Sequence, residues 1–187
     1  NGSHWSGVSL GQNVVVIGAG PIGLTHLQLA RAAGARTMSV DLMAERLAKA
    51  RELGASEVID ARQEDPVQRV KELTDGRGAD VVIVAVGAPQ AQQQALEMAS
   101  LCATVNYFAG TYPSATIPLD PNLIHYKQIR LTGSHDFSPL DFNNQGAFAR
   151  LDIDVLAVPE PETYAMLLAG LGLIGLARRR NLASHTA

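Results

Sequence analysis

Three glycines and one carboxylate carry the first chemical signal in this sequence. Gly18, Gly20 and Gly23 form the pattern G-x-G-x-x-G within "VVVIGAGPIGL", residues 14–24. In such a pattern the first glycine permits a tight turn and the second lets the backbone approach a pyrophosphate. The third lets helix and strand pack closely. A helix opening at Pro21, where a missing N–H costs nothing, would aim its free amides and positive dipole end at phosphate oxygens. Asp41 stands 18 residues beyond Gly23, near the ~20 at which an acidic residue meets the ribose of a dinucleotide. A carboxylate there accepts hydrogen bonds from ribose hydroxyls and repels a 2′-phosphate, which favours NAD over NADP. Arg46 is the alternative signal: it either stands solvated on its helix or meets a phosphate.

Other reactive side chains are scattered. His26 reads as a satisfied surface or groove histidine on the first helix. His125 and His135 flank a late strand, with Asp136 beside His135, and no spacing fixes a geometry for them. Cys102 sits among small residues and reads as a buried, inert thiol. "DFSPLD" offers Ser138 between Asp136 and Asp141, but no G-x-S-x-G elbow for a serine hydrolase is present. Catalytic residues are therefore unassigned.

The elements that must position this chemistry alternate. "NVVVIG" (13–18), "RTMSVD" (36–41), "EVID" (57–60), "DVVIVAVG" (80–87), "ATVNYFAG" (103–110) and "IRLTGSH" (129–135) read as strands, and the first and fourth are apolar enough to be buried on both faces. Helices are expected between them. Ile22, Leu24, Leu27, Leu29 and Ala30 give the first its apolar face, and Gly34 and Gly54 end the first and second. The third opens with Asp65 as cap and Pro66 at its first position, and "QAQQQALEMAS" makes the fourth. A Pro-containing loop leads to the sixth strand. Short alternation of strand and helix predicts an α/β fold, a Rossmann-type doubly wound parallel sheet of six strands.

Composition bounds the rest. At 187 residues, 47% hydrophobic and 18% charged, the chain is globular and long enough for one ordinary domain. A net charge of -3 argues against nucleic acid as the main partner. One cysteine allows no internal disulfide and no Cys-rich zinc site, which suits a reduced, cytoplasmic setting. "NGSHWSG" (1–7) lacks a signal-peptide pattern and reads as a leader or tag remnant.

"VVVIGAGPIGLTHLQLARAAGA", "VDLMAERLAKARELGA", "DGRGADVVIVAVGAP" and "IPLDPNLIHYKQIRLTGS" together resemble the cofactor domain of the medium-chain, zinc-type alcohol dehydrogenases, nearest the sorbitol and threonine dehydrogenase branch. The resemblance runs from Gly7 to Phe142, about three quarters of the chain, and defines an NAD-binding domain over residues 8–142. It implies that Gly18, Gly20, Pro21, Ile22 and Gly23 hold the pyrophosphate and Asp41 the adenosine ribose. Ala85, Val86 and Gly87 would lie beside the nicotinamide half, with Phe108, Ala109 and Gly110. It also implies that strand Ile129–His135 pairs with its copy in a second subunit; an exposed edge strand is the alternative. Enzymes of this family carry a separate catalytic domain that supplies the zinc ligands. Those ligands are missing here, so no zinc is expected. Zinc polarisation contributes several kcal/mol and substrate positioning roughly 7–11 kcal/mol, so dehydrogenase activity is expected to be weak or absent.

After a linker (143–158), the tail (159–187) has another composition. Pro159, Glu160 and Pro161, the apolar stretch Tyr164–Ala177 and Arg178–Arg180 resemble a PEP-CTERM sorting signal. An export signal on a cytosolic-type domain implies a chimera, a displaced gene fragment or a cloning fusion. As a helix the apolar stretch would span about 21 Å, short of a ~30 Å hydrocarbon core. Packing as an appended C-terminal helix on its own sheet or on a partner chain is expected over membrane insertion. Two further readings stay open: a scaffold reused for another reaction such as hydrolysis, and a non-catalytic oligomer held by its tail.

Overall fold

The computed structural model describes residue 2, residues 6–111 and residues 116–134. Six strands form one sheet: β1 (Asn13–Ile17), β2 (Arg36–Asp41), β3 (Glu57–Asp60), β4 (Ala79–Val84), β5 (Ala99–Tyr107) and β6 (Arg130–Gly133). Their order is β3-β2-β1-β4-β5-β6 and every pairing is parallel. The expected α/β Rossmann-type sheet is therefore present. Five helices connect the strands: α1 (Pro21–Ala32), α2 (Ala44–Glu52), α3 (Pro66–Leu73), α4 (Pro89–Met98) and α5 (Pro121–Lys127).

Strand alternation divides the core. Val15, Ile17, Met38, Val40, Val82 and Val84 face one way and pack with Val67 and Val70 of α3 and with Ala91, Ala95 and Leu96 of α4. Val14, Val16, Val81 and Ile83 face the other way, against Leu27 and Ala30 of α1. Helices on both faces bury the central strands on both sides, as their continuous apolar runs require. Asp65 caps α3 by accepting from the Val67 and Gln68 amides at 2.8 and 3.3 Å.

Several expectations are corrected. Ile22 does not join the apolar face of α1; it is 54% exposed. The Pro-containing loop before β6 contains α5, opened by Asp120, which accepts from the Asn122 amide at 2.8 Å. β5 begins four residues earlier than "ATVNYFAG", directly after α4. Two steps along β4, Ala79 to Val81, correspond to five along β5, Ala99 to Thr104. The extra residues bulge outward at Leu101 and Cys102, so Cys102 is exposed, and its φ is +59°.

His26 is also corrected, being buried rather than a surface or groove residue. Its ring meets Phe108 edge to face at 4.7 Å. Gly2, in the stretch read as a leader, packs on the same two rings. The Asn106 carboxamide, fully buried in β5, donates to the Gly2 carbonyl and to Ser6 Oγ at 2.9 Å each, and accepts from Ser134 Oγ at 3.1 Å. Burial pushes the His26 pKa down to about 4. The chain divides into two compact units, Asn1–Val155 and Leu156–Ala187. His135, Asp136, Ser138, Asp141, the linker and the whole tail lie outside the described residues.

Two predictions follow from this packing. Below its unfolded pKa of 6.5 the unfolded chain binds a proton at His26 that the folded chain refuses until about pH 4. The stabilisation is fully present above pH 6.5 and is lost as pH falls toward 4, about 3 kcal/mol at most. Urea denaturation between pH 7 and 5 should show this slope, and His26→Leu should flatten it. Cys102→Gly should raise the thermal midpoint by relieving about 0.5–1 kcal/mol of left-handed backbone strain, whereas Cys102→Val should lower it.

Candidate dinucleotide site

β1 and β4 are neighbours, and the chain leaves them toward opposite edges of the sheet. A crevice opens at the carboxyl ends of strands where strand order reverses in this way. Gly18 turns the chain out of β1 with φ +99°, and its amide donates to the Val40 carbonyl at 2.7 Å. A side chain there would press on Ala85 and Val86, which leave β4 alongside. Gly20 is the extended N-cap of α1, Pro21 follows, and no side chain caps the helix. Helical bonding starts with the Leu24 amide on the Gly20 carbonyl at 2.9 Å, which leaves the first-turn amides available to an anion. A Cβ on Gly23 would overlap the Gly18 carbonyl oxygen, so helix and loop touch there backbone to backbone.

Asp41 ends β2 beside this loop. One carboxylate oxygen accepts from the Ala19 amide at 2.7 Å and the other from the Met43 amide at 2.8 Å. Arg46 of α2 stands 3.9 Å from the carboxylate; the Asp41 side chain is 7% exposed and that of Arg46 22%. A groove of about 300 Å³ lies against them. Its walls include Gly18, Leu42, Met43 and Val86, with Gln90 and Gln94 of α4. Four of the large exposed apolar side chains, Ile22, Leu42, Met43 and Val86, belong to the loops and helix start around the crevice.

The end of β5 is tied in separately. The Phe108 and Ala109 amides both donate to the Val84 carbonyl at 3.0 Å, and the Ala85 amide donates to Ile17 at 2.8 Å. Gln92 of α4 donates to the Ala109 carbonyl at 3.1 Å. Tyr107 donates its hydroxyl to the Gln92 carbonyl at 2.8 Å, and burial pushes its pKa up to about 12. Phe108, Ala109 and Gly110 line a second hollow of about 470 Å³ with Tyr107 and Ser134.

The structure thus brings Gly18, Asp41, Arg46 and Val86 to one groove. Gly20, Pro21, Ile22 and Gly23 form the adjoining loop and helix start, and Ala85 and Gly87 the facing loop. Phe108–Gly110 line the neighbouring hollow. Leu42, Met43, Gln90 and Gln94 belong to the groove and escaped the sequence reading; the i, i+4 spacing of the two glutamines is the one signal that could have joined them. His125 packs on Tyr126 at 4.9 Å and lines neither cavity. Among the described residues no three His, Cys, Asp or Glu side chains are grouped to hold a metal ion.

A family model described as zinc-binding dehydrogenase matches residues 21–150, and the chain belongs to that family. A model of the PEP-CTERM protein-sorting motif matches residues 157–181. An uncharacterized zinc-type alcohol dehydrogenase-like protein of Haemophilus influenzae is 35% identical over 131 residues, 70% of this chain and 38% of that protein. An L-threonine 3-dehydrogenase of Bacillus licheniformis is 41% identical over 96 residues, 51% of this chain and 28% of that one. A solved structure of a putative zinc-binding dehydrogenase of Sinorhizobium meliloti, bound to NADP, superposes with a TM-score of 0.68 at 29% identity, covering 71% of this chain and 40% of the other. The chain therefore spans well under half the length of each of these relatives.

Gly23→Ala should destabilise the fold by about 1–3 kcal/mol, because backbone rather than a flexible side chain must yield. Ile22→Ala, one position earlier on an exposed side chain, should stay within about 0.5 kcal/mol in the same denaturation experiment.

Proposed function

We propose that residues 8–142 are the NAD-binding domain of an alcohol or polyol dehydrogenase-like oxidoreductase, and that this chain alone transfers hydride weakly or not at all. Gly18, Gly20, Pro21, Ile22 and Gly23 hold the pyrophosphate, Asp41 takes the adenosine ribose and Arg46 closes that wall. Ala85, Val86 and Gly87 flank the nicotinamide half with Phe108, Ala109 and Gly110. When bound, the nicotinamide ring supplies the hydride acceptor or donor. This chain's own residues bind and orient it.

The Asp41 carboxylate carries this reading. Each of its oxygens accepts one amide and keeps lone-pair capacity for a ribose hydroxyl. The Asp41 charge disfavours a 2′-phosphate, which supports NAD over NADP, and Arg46 beside it, the one cation of this wall among the described residues, favours the opposite choice. The relative bound to NADP keeps the second nucleotide as the comparison to make.

Two parts of the proposal concern assembly and location. Among the described residues β6 is a terminal strand of the sheet, which supports self-association through Ile129–His135; the apolar tail is the other route. No helix among the described residues is long and apolar enough to cross a membrane. One cysteine suits the reducing cytoplasm, whereas the matched sorting motif at residues 157–181 points to export.

Fluorescence titration should show NADH bound more tightly than NADPH. Asp41→Asn should weaken NADH about tenfold, or about 1.4 kcal/mol, and narrow the gap to NADPH. Folded protein that ignores both nucleotides at millimolar concentration would overturn the proposal.

A further inference from the structure

α4 carries four glutamines, Gln90, Gln92, Gln93 and Gln94. Two are engaged by the protein. Gln92 donates to the Ala109 carbonyl at 3.1 Å and Gln93 to the Pro118 carbonyl at 3.2 Å. Gln90 and Gln94 make no side-chain hydrogen bond among the described residues, and both line the groove that holds Asp41 and Arg46. They lie one helical turn apart, so their carboxamides share a face. Gln94 is half-buried and Gln90 exposed at the rim.

The groove is otherwise walled by apolar groups such as Val40, Leu42, Val86 and Ala91. Apolar walls with a few convergent polar groups describe a pocket for a flat, hydrogen-bonding ring. Its polar groups come in two sets: the ion pair Asp41–Arg46 on the β2 side and the two carboxamides on α4. A carboxamide offers a carbonyl acceptor and two N–H donors. Adenine presents an amino donor beside a ring-nitrogen acceptor, which one glutamine can satisfy together. On the edge that carries N7, hypoxanthine sets a carbonyl beside the ring nitrogen, two adjacent acceptors that the paired donor and acceptor of one carboxamide cannot match.

We propose that Gln94, with Gln90 at the rim, reads the amino group and N7 of an adenine base whose ribose is held by Asp41. This assignment rests on the dinucleotide reading above and adds a base-specificity determinant to it.

The test compares ADP-ribose with its hypoxanthine counterpart by calorimetric titration of the full chain. The unmodified protein should prefer the adenine compound roughly 5- to 150-fold. Gln94→Met keeps length and helix propensity. It should weaken only the adenine compound and bring the two within about twofold, the preference given by a matched carboxamide being gone. Gln90→Met should reduce the preference less, and Gln93→Met, on the engaged side, should leave it intact. Equal binding of both compounds by the unmodified protein overturns the glutamine assignment, as does an undiminished preference in Gln94→Met. Either result leaves the dinucleotide platform standing. Failure of the unmodified protein to bind either compound overturns both.

Discussion

The Asp41 carboxylate is the constraint on which the crevice depends. β1 and β2 run in register with Ile17 opposite Val40. The Gly18 amide extends that ladder by one bond to Val40, which brings the next residue of β2, Asp41, opposite Gly18 and its carboxylate within reach of the Ala19 amide. One carboxylate then satisfies an amide from each of two loops that have left the sheet. Loop amides without such a partner are costly when shielded from water. With the loop pinned, α1 starts where Gly23 must touch Gly18, and only glycine allows that approach.

Local rules made much of this visible in the sequence. The glycine spacing, the position of Asp41 and the Asp65-Pro66 helix start each state their structure within a few residues. Asp120-Pro121 is the same helix-start signature, yet α5 escaped notice because none of its residues is buried and no apolar stripe announced it. Cys102 and the early start of β5 were illegible for another reason. A bulge that matches five residues to two is set by where α4 must end against β4, a tertiary requirement with no local mark. The glutamines of α4 show the same limit. Helical spacing tells which of them share a face, but the partners that choose the face lie 17 and 25 residues away.

Family membership and geometry constrain different things. The family model spans residues 21–150, whereas each relative described extends far beyond the aligned part. The described residues group no three metal-ligating side chains but do present a helix start with no side-chain cap, a carboxylate with spare lone pairs and an apolar rim at Ile22, Leu42, Met43 and Val86. Those features suit the binding role proposed above, and the chemistry of a substrate makes separate demands.

α4 passes into β5 with no residue between Met98 and Ala99. Helix and strand therefore share one end, and they are joined again further along. Gln90 and Gln94 lie on the helix at the groove, while the strand ends at Tyr107, whose hydroxyl is fastened back to the Gln92 carbonyl. The same Gln92 holds the Ala109 carbonyl through its side chain, so one residue of the helix braces the wall of the second hollow from two sides.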